Sequence, residues 1–210
     1  VAPFEPKLIE AWMIARSLAR GLPPPRWDRG GLRLDTGSEK EVRRWVFPEP
    51  HPGLGQLGRE IDAPRIFLKL CGSPEALRQV LPGRWVIQPL SYVMVGAADP
   101  LATFSAPEGY RLERSANGEV GYACLLAPDG TRAASGYCAE AEGVFIYDRI
   151  ETEAAHRRRG LGQAIMHALG ALQRSPDAIH VLVATEAGKA LYTRLGWSVI
   201  SPYATAVIPG

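Results

Sequence analysis

The stretch from Val144 to Gly162 constrains this chain more than any other. Its apolar start, Val144-Phe145-Ile146-Tyr147, reads as a strand continuing through Asp148-Arg149-Ile150-Glu151-Thr152. Arg157-Arg158-Arg159 then lead into Gly160-Leu161-Gly162. There an amphipathic helix opens, with Leu161, Ala164, Ile165, Ala168, Leu169 and Leu172 on one face. A helix start presents unpaired N–H groups and the positive end of the macrodipole. With arginines and glycines beside it, that start is a phosphate or pyrophosphate site at the end of a strand. The chain must therefore fold so that this helix end stays open.

The rest of the composition narrows the classes. At 210 residues the chain can bury a sizeable core as one domain or two, and 46% hydrophobic with 22% charged residues is ordinary for a globular protein. A net charge of +2 argues against a dedicated nucleic-acid binder. No apolar run reaches the ~20 residues of a membrane helix, and Glu5, Lys7 and Glu10 interrupt any export signal. Cys71, Cys124 and Cys138 are odd in number and set in apolar stretches, so buried free thiols in a reducing cytoplasm are expected. The histidines lack metal-ligand spacing, and no metal site is expected.

In chain order, residues 5–20 read as a helix and Gly31–Asp35 as a short strand. Ser38 with Glu41 reads as a capping box starting a helix over Val42, Trp45 and Val46, stopped by Pro48. Gly53–Ile61 reads as a short helix, Arg65–Leu70 as a strand, and Ser73-Pro74 as the cap of another helix. Trp85–Val95 is strand-like but broken by Pro89. Residues 1–100 thus form an α/β module with its own sheet, joined by a linker over Gly96–Pro107 to a second unit, 101–210.

That unit opens as an antiparallel meander: Tyr110–Arg114, a type I′ hairpin signal at Asn117-Gly118, Val120–Ala127, Thr131–Ala139 and Val144–Thr152. After the long helix, Ile179–Ala184 is almost continuously apolar, as a strand buried on both faces would be. A short helix over Ala187–Leu195 and a strand region over Trp197–Ile208 complete the chain.

Arg157-Arg158-Arg159-Gly160-Leu161-Gly162 fits the Arg/Gln-x-x-Gly-x-Gly/Ala pattern, and Leu191-Tyr192 followed by Gly196-Trp197 resembles the companion motif, of the GNAT superfamily of acyl-CoA-dependent N-acyltransferases. The resemblance spans about residues 108–208 and implies the GNAT α/β fold, with a mixed, mainly antiparallel sheet. It implies acetyl-CoA as co-substrate and direct attack on the thioester by an amine of a small molecule or peptide; charge and the lack of long apolar runs set the expectation of neither nucleic acid nor membrane as partner. Oligomeric state is left open, a homodimer among the options. The pyrophosphate would lie on Arg157, Arg158, Arg159, Gly160, Leu161, Gly162 and Gln163. Pantetheine would pair with the backbone of Ile150 and Thr152, and an N–H of Ile150 or Glu151 would face the thioester oxygen. Tyr192 would protonate the leaving thiolate. Asp148 is the candidate base, on the face of Ile150 and Thr152 if the strand is regular, with Glu151 and Glu140 as rivals. Arg149 is a candidate for holding a substrate carboxylate.

Two departures stand out. Thr185 replaces an asparagine common in the family, and only Ser115–Glu119 stands where the family places two helices that wall the acceptor site. The N-terminal module, read as a degenerate copy of the same fold, is expected to supply that wall. Rival readings are weaker. A dinucleotide fold would need glycine where Ile165 stands, and no Gly-Lys-Ser/Thr of a P-loop follows. A GNAT-fold sensor that binds acyl-CoA without turnover is the remaining alternative.

Overall fold

The computed structural model describes residues 5–96 and 106–210. Most of the linker expected at Gly96–Pro107 lies outside the described residues. In chain order the elements are α1 (Pro6–Leu18), β1 (Arg26–Asp28), β2 (Gly31–Asp35), β3 (Arg43–Phe47), α2 (Pro52–Glu60), β4 (Ile66–Cys71), α3 (Pro74–Val80), β5 (Val86–Ile87) and β6 (Ser91–Gly96). The second half contains β7 (Arg111–Asn117), β8 (Val120–Leu126), β9 (Arg132–Ala141), β10 (Val144–Thr152), α4 (Leu161–Gly170), β11 (Ile179–Thr185), α5 (Glu186–Arg194) and β12 (Ser198–Val207).

The described strands join one 12-stranded sheet in the order β1-β2-β3-β4-β12-β6-β11-β10-β9-β8-β7, with β5 beside β12. The first half therefore has no sheet of its own, contrary to expectation. Each half's last strand crosses into the other: β6 pairs antiparallel with β11, and β12 antiparallel with β4. Read from either side of the β12–β6 pair, the order repeats. β1-β2-β3-β4 answers to β8-β9-β10-β11, with β3–β4 and β10–β11 both parallel. Helices α2 and α4 occupy equivalent places, and both open on the same tetrapeptide: Gly53-Leu54-Gly55-Gln56 and Gly160-Leu161-Gly162-Gln163.

Three cores follow from this plan. Under α4 and α5 lie Leu161, Ile165, Leu169, Phe145 and Leu182. Under α2 and α3 lie Leu54, Leu57, Leu77, Leu68 and Ala204. On the opposite face α1 spans both halves, with Ile9, Trp12 and Met13 against Leu34, Val46, Val93, Ile146 and Tyr203. Each fully buried Leu or Ile contributes about 2 kcal/mol.

Residues 43–47 are a strand rather than the expected helix. Ser38 and Glu41 make the local bonds of a cap, Glu41 N–H donating to Ser38 Oγ at 3.0 Å, but they close a turn. The aromatic and β-branched run that follows is taken up between β2 and β4. At the Asn117-Gly118 hairpin the loop is Gly118-Glu119, and only Gly118 takes a positive φ (+59°). A type I′ turn needs two such residues; Glu142 (φ +50°) and Gly143 (φ +74°) supply both between β9 and β10.

Candidate active site

Strands β10 and β11 pair only at Val144↔Ile179, Phe145↔His180 and Ile146↔Val181, while β10 runs on to Thr152. The two strands then diverge, leaving one edge of β10 for a ligand's backbone-like groups. A bulge shifts its register with β9 between Asp148 and Glu151, and Arg149 takes φ +53° there. The bulge changes parity. Asp148 lies against α1, whereas Ile150 packs with the α4 core. The two do not share a face as a regular strand would have required.

On the α4 side of the split is a cavity of about 1090 Å³ between the starts of α4 and α5. Ile150, Glu151, Thr152, Arg157, Arg158, Gly160, Leu161, Gly162 and Gln163 line it, together with Tyr192. Arg159 does not belong to this wall: its guanidinium donates to Tyr110 Oη at 3.0 Å, and Tyr110 also bonds His156 Nδ1 at 3.0 Å, tying the loop to the meander. Arg158 (φ +61°) and Gly160 (φ +77°) are left-handed, a conformation that recurs in anion-binding nests. Helix α4 has Gly160 as its N-cap, no capping side chain and no acidic residue in its first turn. Its first N–H groups and its dipole therefore face the cavity uncompensated. These residues fit a pyrophosphate.

The equivalent loop in the first half does not. Pro50 and Pro52 offer no N–H, and His51 Nδ1 accepts the Gly53 N–H at 3.0 Å. A Cβ on Gly53 would stand 1.8 Å from the Arg29 carbonyl, so the β1–β2 turn fills the place of a ligand. Strands β3 and β4 also stay paired from Arg43↔Ile66 to Phe47↔Leu70, without a split.

On the α1 side lies a second cavity, of about 300 Å³, lined by Trp12, Arg16, Arg20, Asp148, Arg149 and Glu151 among others. Ile150, Glu151, Thr185, Gly188 and Tyr192 line both spaces, so the cavities meet at the split. Tyr192, on α5, is 7% exposed, and burial pushes its hydroxyl up to about 12, keeping it protonated at neutral pH. Thr185, where asparagine is common in the resembled family, caps α5 by accepting the Gly188 N–H at 3.2 Å.

Asp148 is poorly placed to be a base. Arg20 donates to both of its oxygens, at 2.7 and 2.8 Å, Arg16 Nε approaches at 3.3 Å and Arg149 Nε at 3.2 Å. Burial alone would raise its pKa. The Arg20 hydrogen bonds and the charges of Arg16, Arg20 and Arg149 outweigh that and hold it below the ordinary carboxylate range. Glu140 is elsewhere, accepting the N–H groups of Arg174 and Ser175 at 2.8 and 3.0 Å. Glu151 is the exposed carboxylate common to both cavities. Sequence reasoning missed Arg16 and Arg20. Their i,i+4 spacing at the end of α1 was the available signal, but nothing local says what that helix covers. No three His, Cys, Asp or Glu among the described residues converge as metal ligands, and the three cysteines are buried and unpaired.

Residues 109–199 match the family model of the acetyltransferase (GNAT) domain. No curated protein matches the sequence significantly. Among solved structures, a GCN5-related N-acetyltransferase from Kribbella flavida is similar over 100% of this chain and 97% of its own, at 15% identity and a TM-score of 0.69. One from Sphaerobacter thermophilus is similar over 86% of this chain and 78% of its own, at 16% identity and a TM-score of 0.60. A tandem GNAT protein from the clavulanic acid biosynthesis pathway is similar over 86% of this chain and 79% of its own, at 14% identity and a TM-score of 0.57. The sequence match is confined to residues 109–199, whereas the likeness of fold to these structures extends over most or all of the chain.

Proposed function

We propose that this GNAT domain transfers an acetyl group from acetyl-CoA to a primary amine within a ternary complex. The observation carrying the proposal is the split between β10 and β11, with an open helix start on one side, a small charged cavity on the other and Tyr192 lining both. In this reading the CoA pyrophosphate takes the N–H groups at the start of α4 with Arg157 and Arg158. Pantetheine pairs with the free edge of β10 at Ile150 and Thr152, and backbone N–H at Ile150 or Glu151 faces the thioester oxygen. The amine enters from the α1 side, where the first half supplies the wall that the short β7–β8 hairpin omits.

The amine nitrogen bonds to the thioester carbon while Glu151 accepts its proton, directly or through water. As the tetrahedral centre collapses the C–S bond breaks, and Tyr192 gives its proton to the thiolate. Holding both reactants in line supplies much of the rate. Asp148 orders the arginines and has no proton-transfer role here. The three unpaired buried thiols favour a reducing, cytoplasmic setting.

The direct test is thiol release from acetyl-CoA across a panel of amines. Amine-dependent release supports transfer; tight CoA binding with no release for any amine supports the sensor reading instead. Charge reversal at Arg157 and Arg158 should weaken CoA affinity by at least about tenfold, measured by calorimetry, with unchanged affinity counting against the loop.

A further inference from the structure

We propose that the acceptor is a small amine that also carries a carboxylate, and that Arg16, Arg20 and Arg149 receive that carboxylate. Among the described residues the second cavity is lined by these three cations and by two carboxylates, Asp148 and Glu151, a surplus of positive charge. Asp148 is already committed to the guanidinia, so the cavity presents an ordered cationic cluster as well as Glu151. The arrangement has two poles: an ammonium would be drawn to Glu151 beside the split, and an oxyanion to the arginines behind it.

The arginines are built into place. Arg149 stacks on the Tyr137 ring at 3.7 Å from its centroid and donates to the Ala19 carbonyl from its left-handed position in the bulge. Arg16 lies over Trp12 at 5.2 Å. Each guanidinium has five N–H groups in a fork suited to carboxylates. Asp148 and Ala19 engage Nε of all three and Nη2 of Arg20 and Arg149. Further donors of each remain unclaimed among the described residues. Arg44 adds to the positive field at Arg16, while Glu41, paired with Arg44, offsets it at Arg20. A polycationic acceptor would meet repulsion here, and 300 Å³ admits a small molecule rather than a folded surface.

The inference rests on the acetyl-transfer reading for its setting, but binding tests it separately. Amino acids, each paired with its own α-carboxamide, and spermidine are titrated into the CoA-loaded protein by calorimetry and run in the thiol-release assay. At least one acid should exceed its amide by about 30-fold in affinity and in kcat/KM. Arg20→Gln or Arg149→Lys should bring that ratio below about threefold, through KM, and 0.5 M NaCl should shrink it in the wild type. Because Arg20→Gln loosens Asp148 and Arg149→Lys also changes the contacts with Asp148, Ala19 and Tyr137, the salt series on the wild type keeps the test independent of folding. Amides or spermidine binding as well as the acids, or no acid binding at all, would overturn the inference. Spermidine turnover without acid turnover leaves acetyl transfer standing and removes this claim. Acid-selective binding with no thiol release for any amine does the reverse.

Discussion

Replacing Tyr192 with Phe removes one hydroxyl from a position that lines both cavities, and little packing with it. Loss of a general acid costs about 100-fold or more in rate, so Tyr192→Phe should lower kcat that far while CoA affinity stays within about twofold. Asp148→Asn tests a different property. The wild-type carboxylate, only 8% exposed, offsets three guanidinia that are themselves partly solvated. Its removal should cost about 2 kcal/mol in urea unfolding at pH 7. Because its folded pKa lies below the unfolded value, that contribution is complete above about pH 4 and is lost as the pH falls through the folded value. The difference between wild type and Asp148→Asn should therefore shrink below pH 4. His180 works in the opposite pH direction from a salt-bridged histidine. Burial lowers its pKa to about 4. With the ring neutral, its Nδ1 accepts from Tyr147 Oη at 3.0 Å and its Nε2 donates to Gln173 Oε1 at 2.9 Å. Between about pH 6.5 and 4 the unfolded chain binds the extra proton first. Stability should fall across that window by up to roughly 3 kcal/mol, and His180→Gln should lower the plateau and flatten the slope.

Among the elements, α2 and α4 share a tetrapeptide and a place in the topology but not a capacity for anions. Gly160 opens α4 with no side chain over its N–H groups, whereas Pro50, Pro52, His51 and the Arg29 carbonyl close the start of α2. CoA should bind with a stoichiometry of one per chain by calorimetry; two sites would contradict the closed second loop. Gly53→Ala forces a Cβ onto backbone and should unfold or severely destabilise the protein. Gly162→Ala meets the flexible Leu191 side chain at 3.3 Å and Thr152 Oγ1 at an ordinary 3.9 Å, and should keep stability while weakening CoA binding. Element by element, much was legible in the sequence. The period of α4, the Ser73 cap, the hairpin meander and the apolar β11 are local signals, and each formed. The run 42–47 was misread because Ser38 and Glu41 make cap-like bonds within a turn as readily as at a helix start. The bulge at Arg149 was not legible: strand parity depends on what pulls the residue out of line, here Ala19 and Tyr137 from other elements.

At the scale of the molecule, the sheet is one because the two halves exchange their last strands. Strand β6 lies between β11 and β12, so the fragment 101–210 would lack the strand that joins its own. It would also lose α1, which covers β9 and β10 and brings Arg16 and Arg20 to Asp148. Expressed alone, that fragment should aggregate or unfold, as read by circular dichroism and solubility; a folded, active fragment would refute the role given to the first half. None of this long-range exchange is visible in a local pattern, since β6 and β12 read simply as strands. The repeated Gly-Leu-Gly-Gln was its one trace in the sequence. Of the two equivalent α2 and α4 loops among the described residues, only the second has the strand split and the open helix start, with Tyr192 lining both cavities there, and that asymmetry is the basis for assigning one donor site and one acceptor site. The most direct test is the initial rate of thiol release from acetyl-CoA, with and without amines, for the wild type and Tyr192→Phe. The account predicts amine-dependent release that falls about 100-fold in the variant while CoA binding persists. CoA bound tightly by both proteins, with no amine of any class accelerating release in the wild type, would contradict it.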